Sequence, residues 1–239
     1  MLRQIAKRAA LSLIRTGVRV PDDAVERFQE FTQLKMLLDA LGINCVFDVG
    51  ANCGQTVETL RGMGYRGHIF SFEPVGSAFA ALTEWCWHDP RWKGFQMALG
   101  SENTSLSMNV VPQSTVISSL LNPLDPPAGM RCETVEVRRL DDLFASLTEA
   151  MAEPRVFLKM DTQGYDLQVF QGAEGCLEHV LGLQSEVAAE PAYEGAPSYL
   201  DTLRAYEDAG FKLQHLSTVS RTHEGGIEEM NCLMRRSID

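Results

Sequence analysis

Residues 45–54 read CVFDVGANCG. Cys45, Val46, Phe47 and Val49 suit a strand buried on both faces, interrupted only by Asp48. Gly50, Ala51, Asn52 and Gly54 then form a small-residue turn, and helical residues begin at Gln55. A strand that runs into such a turn and then a helix makes a ligand site. Its glycines let a backbone approach closely, and the first N–H groups of the helix have no intrahelical partner.

Beyond this stretch the chain alternates strand and helix, the signature of a mostly parallel sheet. His68–Phe72 (HIFSF) is the second strand and ends at Glu73-Pro74; Gly76–Trp87 is a helix, and Phe95–Leu99 the third strand. Ser105–Val111 and Thr134–Arg139 alternate and are expected as extra antiparallel strands, with a long loop, Pro112–Met130, between them. The remaining pattern is a helix at Leu140–Ala150, a strand at Val156–Met160, a broken helix over Asp166–Val180, a strand at Leu183–Ala188 and a helix at Ser198–Ala209. Phe211–Leu216 and Ile227–Met234 have no helix between them, so they should pair antiparallel. On the other side of the opening stretch, Val25, Phe28, Phe31, Leu34, Leu38 and Leu41 form a helical stripe that Gly42 ends. The division expected is a helical extension over 1–42 and a single α/β domain over 43–239.

Residues 2–19 carry five basic and no acidic side chains, with Leu2, Ile5, Ala9 and Leu13 on one helical face. Such a helix can dock on the domain or lie peripherally on an anionic membrane. With those five removed from the formal −11, residues 20–239 sum to −16. So acidic a body repels phosphate backbones, and nucleic acid is not an expected partner. Six cysteines without metal spacing suit a reducing, cytoplasmic setting, and no apolar run is long enough to span a membrane.

Two groups of residues can carry chemistry. The first is Asp48, Gly50, Asn52 and Gly54 with Glu73, an acid at the end of the second strand that can accept two hydrogen bonds from ribose hydroxyls. Turn plus acid indicates an adenosine-containing cofactor. The dinucleotide fingerprint GxGxxG is missing, since Asn52 stands where its second glycine would be. That favours S-adenosylmethionine, which needs no phosphate cradle, over NAD. Asp48 either reaches the cofactor's ammonium or merely caps the turn. The second group is Lys159, Asp161, Gln163 and Asp166, with Glu186 near the end of the following strand. Asp161 can orient an acceptor hydroxyl or take its proton. Lys159 lies on the same strand face, and a salt bridge to it would weaken Asp161 as a base. Two carboxylates without a third spaced ligand do not make a metal site, so no metal is expected.

The segments FDVGANCGQT, FSFEP, MALG, VISSLL, VRRLDDLF, LKMDTQGYDLQVFQGA and QSEV, in this order, resemble the FkbM family of S-adenosylmethionine-dependent methyltransferases over roughly residues 44–235. The most specific part is Lys159–Ala173. The resemblance implies a class I methyltransferase fold, Rossmann-like, with helices on both faces of a seven-stranded sheet in the order 3-2-1-4-5-7-6 whose last strand is antiparallel. It places Asp48, Gly50, Asn52 and Gly54 around the methionine part of the cofactor, Glu73 on the ribose, and Ala98 and Leu99 near the adenine. Ser118 and Ser119 match a serine-bearing loop. Where many members carry an acid on the last strand, this chain has Asn231. The activity implied is O-methylation of a hydroxyl on a sugar, glycan or secondary metabolite, by in-line displacement at the methyl carbon. A catalytically silent cofactor-binding subunit and an NAD-dependent oxidoreductase are the alternatives.

Overall fold

The computed structural model describes residues 15, 16 and 22–236. Apart from Arg15 and Thr16, the helix expected over 2–19 lies outside the described residues. The chain enters through α1 (Asp22–Ala40), turns at Gly42, and runs through β1 (Cys45–Val49), α2 (Gln55–Gly62), β2 (His68–Phe72), α3 (Gly76–Cys86) and β3 (Trp92–Phe95). Next come β4 (Ala98–Leu99), β5 (Thr104–Val110) and β6 (Arg131–Arg138). The second half is α4 (Leu140–Thr148), β7 (Val156–Met160), α5 (Asp166–Gln171), β8 (Val180–Ala188), α6 (Tyr199–Asp208), β9 (Phe211–Arg221) and β10 (Ile227–Arg236).

Seven strands form one sheet in the order β3-β2-β1-β7-β8-β10-β9. All neighbours pair parallel except β10, which is antiparallel to both β8 and β9. This is the class I methyltransferase order expected from the resemblance. The physical origin of the antiparallel strand is local: the turn at 222–226 is too short for a crossover, so β10 folds back on β9 and slots between it and β8.

The sheet is covered on both faces, which explains the apolar run in β1. Cys45, Phe47 and Val49 join a core with Leu158, Phe144 and Val169, while Val46 faces a second core with Phe157 and with Leu34, Leu37 and Leu38 of α1. Phe47 packs its ring against Phe70, Phe72 and Phe144, with centroids 5.6, 6.4 and 6.1 Å away. Burying one such side chain contributes about 1.5–3 kcal/mol.

The third strand departs most from the pattern read in the sequence; β8 also begins earlier, at Val180, and β9 runs on to Arg221. The third strand spans Trp92–Phe95, and Ala98-Leu99 belongs to a separate three-stranded sheet, β4-β6-β5. The run Phe95–Leu99, apolar except for Gln96, hides a change of sheet. The Met97 N–H bonds back to the Phe95 carbonyl, and Ala98 and Leu99 then pair parallel with Val137 and Arg138. The expected antiparallel pair is present as β5 and β6 in that same sheet.

Gly50 ends β1 at φ +74°, and a Cβ there would stand 1.9 Å from the Asp161 carbonyl oxygen. The turns after β1 and β7 are therefore pressed backbone to backbone. Gly50→Ala should destabilise the protein by at least about 2 kcal/mol, combining left-handed strain with the collision. Thermal unfolding should show the midpoint lowered by roughly 4–8 °C; a midpoint within a degree of wild type would refute the close approach.

Candidate active site

The carboxyl ends of β1, β2, β7 and β8 open into a cavity of about 670 Å³. Part of its wall is the loop between β5 and β6, through Thr115, Val116, Ser118 and Leu120, and another part is α1, through Glu30, Phe31 and Leu34. The size suits a small organic ligand.

On the β1–β2 side the cavity is walled by Gly50, Asn52, Glu73, Ala98 and Leu99. Glu73 is buried and ties two loops together: Oε2 accepts from the Asn52 N–H at 2.9 Å, and Oε1 from the Val75 N–H at 2.8 Å. Each oxygen keeps a lone pair for a further donor. Burial raises the Glu73 pKa above the ordinary glutamate value, against the opposing pull of those two N–H groups. Asn52 holds a left-handed φ of +45°, and its Nδ2 donates to Thr115 Oγ1 at 3.0 Å, which ties the turn to the loop beside it.

Two of the residues expected here do not line the cavity. Asp48 lies beneath it, fully buried. Ser71 Oγ donates to its Oδ2 at 3.1 Å, and Lys159 Nζ stands 3.5 Å from its Oδ1, an ion pair without a hydrogen bond. It is held there because strand alternation points it into the sheet face opposite Phe47. Gly54 is turned toward α3, where a Cβ would press on Leu82 and Trp85 at 3.2 and 3.3 Å. The glycines of this turn therefore serve contact between chain segments: Gly50 against Asp161, and Gly54 against α3.

On the β7–β8 side, Lys159 Nζ reaches Asp161 Oδ2 at 3.3 Å and the Gly50 carbonyl at 3.4 Å. Burial works against its charge, but the Asp161 and Asp48 carboxylates more than offset that and hold its pKa above the ordinary lysine value. The ammonium is thus a fixed cation and no proton acceptor. Gln163, at φ +54°, directs Nε2 toward Asp161 Oδ1 (3.3 Å) and Glu186 Oε1 (2.9 Å). An amide donor thus occupies the place between the two acids where a shared cation would sit. Tyr193 Oη stands 3.0 Å from Gln163 Oε1 and 2.9 Å from the Ile117 carbonyl, and Ser119 Oγ donates to the Gln163 carbonyl at 2.8 Å. Burial foremost, then the Asp161 and Glu229 charges, pushes the Glu186 pKa well above the ordinary value. Asp166, fully within the protein, braces the turn by accepting from the Thr162 N–H (2.9 Å) and Ser185 Oγ (2.6 Å).

Lys159, Asp161 and Glu186 therefore converge on one cavity with Gly50, Asn52, Glu73, Ala98 and Leu99. Ser118 and Ser119 are buried, Ser118 accepting from the Val111 N–H at 3.1 Å, so both fasten the loop. Asn231 lines the cavity, and its Nδ2 donates to Glu30 Oε1 at 2.8 Å. The bridging role of Gln163 was signalled only by its place in the Lys159–Asp166 run; Tyr193 and Glu30 had no signal. No group of three His, Cys, Asp or Glu side chains among the described residues is placed to hold a metal ion, and no described helix is long and apolar enough to cross a membrane.

The model of the methyltransferase FkbM domain matches residues 48–213, well over half of the 239. The chain belongs to the FkbM methyltransferase family. It is accordingly an S-adenosylmethionine-dependent methyltransferase, and the nicotinamide alternative falls away. Among curated proteins this FkbM chain is similar to the 2-O-methyltransferase NoeI of Sinorhizobium fredii, 24% identical over 206 residues, covering 80% of this chain and 82% of that one. Among solved structures it resembles the magnesium protoporphyrin IX methyltransferase ChlM of Synechocystis PCC 6803 (11% identity, 90% and 82% of the two chains, TM-score 0.49). It also resembles an rRNA-methylase-like protein of Clostridium thermocellum (12%, 92% and 100%, TM-score 0.48). The cavity fits the cofactor. Five carboxylates line it against three cationic side chains, which suits a sulfonium ligand, and Glu73 keeps free acceptor capacity.

Glu73, Asp166 and Glu186 all have raised pKa values in the folded state, with burial the first cause in each. From about pH 4.5 upward the folded protein holds protons that the unfolded chain releases, so stability declines as pH rises through the raised values. The unfolding midpoint should therefore fall as pH rises above the ordinary carboxylate range, and fall less steeply in Glu186→Gln. An equal slope in the two proteins would contradict the raised proton affinity of Glu186.

Proposed function

We propose that this methyltransferase acts on oxygen: its acceptor is a hydroxyl of a sugar, glycan or hydroxylated metabolite. The observation that carries the reading is the pair Asp161 and Glu186, two carboxylates on one cavity wall joined through the Gln163 amide. The likeness to a 2-O-methyltransferase supports it. S-adenosylmethionine, when bound, supplies a methyl group on an electrophilic sulfonium. Gly50, Asn52, Glu73, Ala98 and Leu99 would hold it, with the spare lone pairs of Glu73 on the ribose. Asp161, fixed by Lys159, orients the acceptor hydroxyl. Glu186, whose proton affinity is raised by burial and neighbouring charge, accepts the hydroxyl proton. Positioning carries much of the acceleration in such a site.

The test is incubation of the protein with a cell extract and methyl-labelled cofactor, followed by mass spectrometry. A labelled methyl ether is expected; label on nitrogen or carbon, or on nothing, overturns the reading. Glu73→Ala should weaken cofactor binding about 10- to 100-fold in calorimetry, the loss of a buried hydrogen bond to a charged acceptor being worth roughly 1.5–3 kcal/mol. An unchanged dissociation constant removes Glu73 from the cofactor. Asp161→Asn should lower kcat at least about tenfold while cofactor affinity stays put; normal turnover removes Asp161 from the reaction.

A further inference from the structure

Helix α1 lies outside the segment shared with the family, 48–213, yet it walls the cavity. Its Glu30 is partly buried. Oε1 accepts from Gln184 Nε2 and Asn231 Nδ2, both at 2.8 Å, while Oε2 accepts no hydrogen bond among the described residues. Those two amides place Glu30 beside the reacting acids, because Asn231 is the β10 partner of Glu186, and Gln184 the β8 partner of Lys159. Among the described residues no cationic group stands within 4.0 Å of the Glu30 carboxylate. Two of the three cations on the cavity wall are engaged elsewhere, Lys159 with Asp48 and Asp161, and Arg221 with Glu26 at 4.0 Å; the third, Arg27 on α1, has no ion-pair partner within 4.0 Å among the described residues.

We propose that Glu30 is a specificity-determining residue: it meets a hydroxyl of the acceptor with its unshared oxygen and excludes acceptors bearing carboxylate, sulfate or phosphate at that side. The proposal rests on the hydroxyl-acceptor reading only for what occupies the cavity; the field of Glu30 exists without it. An unpaired carboxylate beside a partly desolvated cavity repels an anion far more than one in open water does, and a hydroxyl proton satisfies its lone pair without charge.

Two measurements test this. In the first, Thr218→Cys places a thiol on the cavity wall in a background where the exposed Cys53 and Cys132 are serine. Its reaction rates with a cationic and an anionic methanethiosulfonate are compared. The cationic reagent should react faster, and E30Q should shrink the rate ratio about tenfold. E30D, which keeps the charge, should hold the ratio. An unchanged ratio in E30Q, or an equal fall in E30D, overturns the proposal. In the second, methylation of neutral methyl hexosides and of the matching uronates is compared. Wild type should prefer the neutral series, and E30Q should narrow the gap in kcat/KM about tenfold, mainly through KM. A wild-type preference for uronates overturns the role of Glu30. Rejection of both series together with a charge-dependent labelling ratio overturns the sugar acceptor and supports Glu30 as an anion filter.

Discussion

The ammonium of Lys159 is the constraint on which the site depends. It is a charge with its side chain only 12% exposed, held by Asp48 at 3.5 Å, Asp161 at 3.3 Å and the Gly50 carbonyl at 3.4 Å. A charge so placed must be paired, and removing one partner from such a group typically costs about 3–5 kcal/mol. Strand register makes the arrangement possible. Ser71, Asp48, Lys159 and Gln184 are successive cross-strand partners on β2, β1, β7 and β8. Trp92 extends the row at one end by donating to Ser71 Oγ at 3.1 Å, and Glu30 extends it at the other. A polar line thus crosses the sheet at the floor of the cavity, and the turns that form the site stand on it.

Above that line, the two halves of the site are joined by short ties. Asn52 links the β1 turn to Thr115, Glu73 links it to the start of α3, and Ser119 links the β5–β6 loop to Gln163. The loop is further pinned by the Leu124 N–H to the Ala192 carbonyl and by a bridge between Pro123 and Tyr193. Its length in sequence therefore does not translate into a free segment, because side chains from both halves of the domain hold it.

Alternation of apolar strands and amphipathic helices was legible because each element carries its own period; β1, β2 and β7 lie where the pattern puts them. The Ala98-Leu99 change of sheet was not legible, since five consecutive residues fit one buried strand as well as two short ones. In the site, acids at strand ends could be located because their position on the rim follows from the strand that carries them. Asp48 and Gly54 do not line the cavity: alternation along β1 turns Asp48 beneath it, and a small-residue turn reports that something comes close without saying what, which at Gly54 is α3. Glu30 was invisible, being one polar residue on a helix whose apolar stripe accounts for its periodicity; its partners, Gln184 and Asn231, stand more than 150 residues away.

The position of α1 bears on how such a protein diversifies. Gly50, Asn52, Glu73, Ala98 and Leu99 lie inside the segment that matches the family, whereas part of the cavity wall comes from a helix that precedes it. Changes in that helix can reshape the cavity mouth while Gly50, Glu73 and the lysine-centred floor remain as they are. Descent can thus retain one reaction while the range of molecules admitted to it drifts.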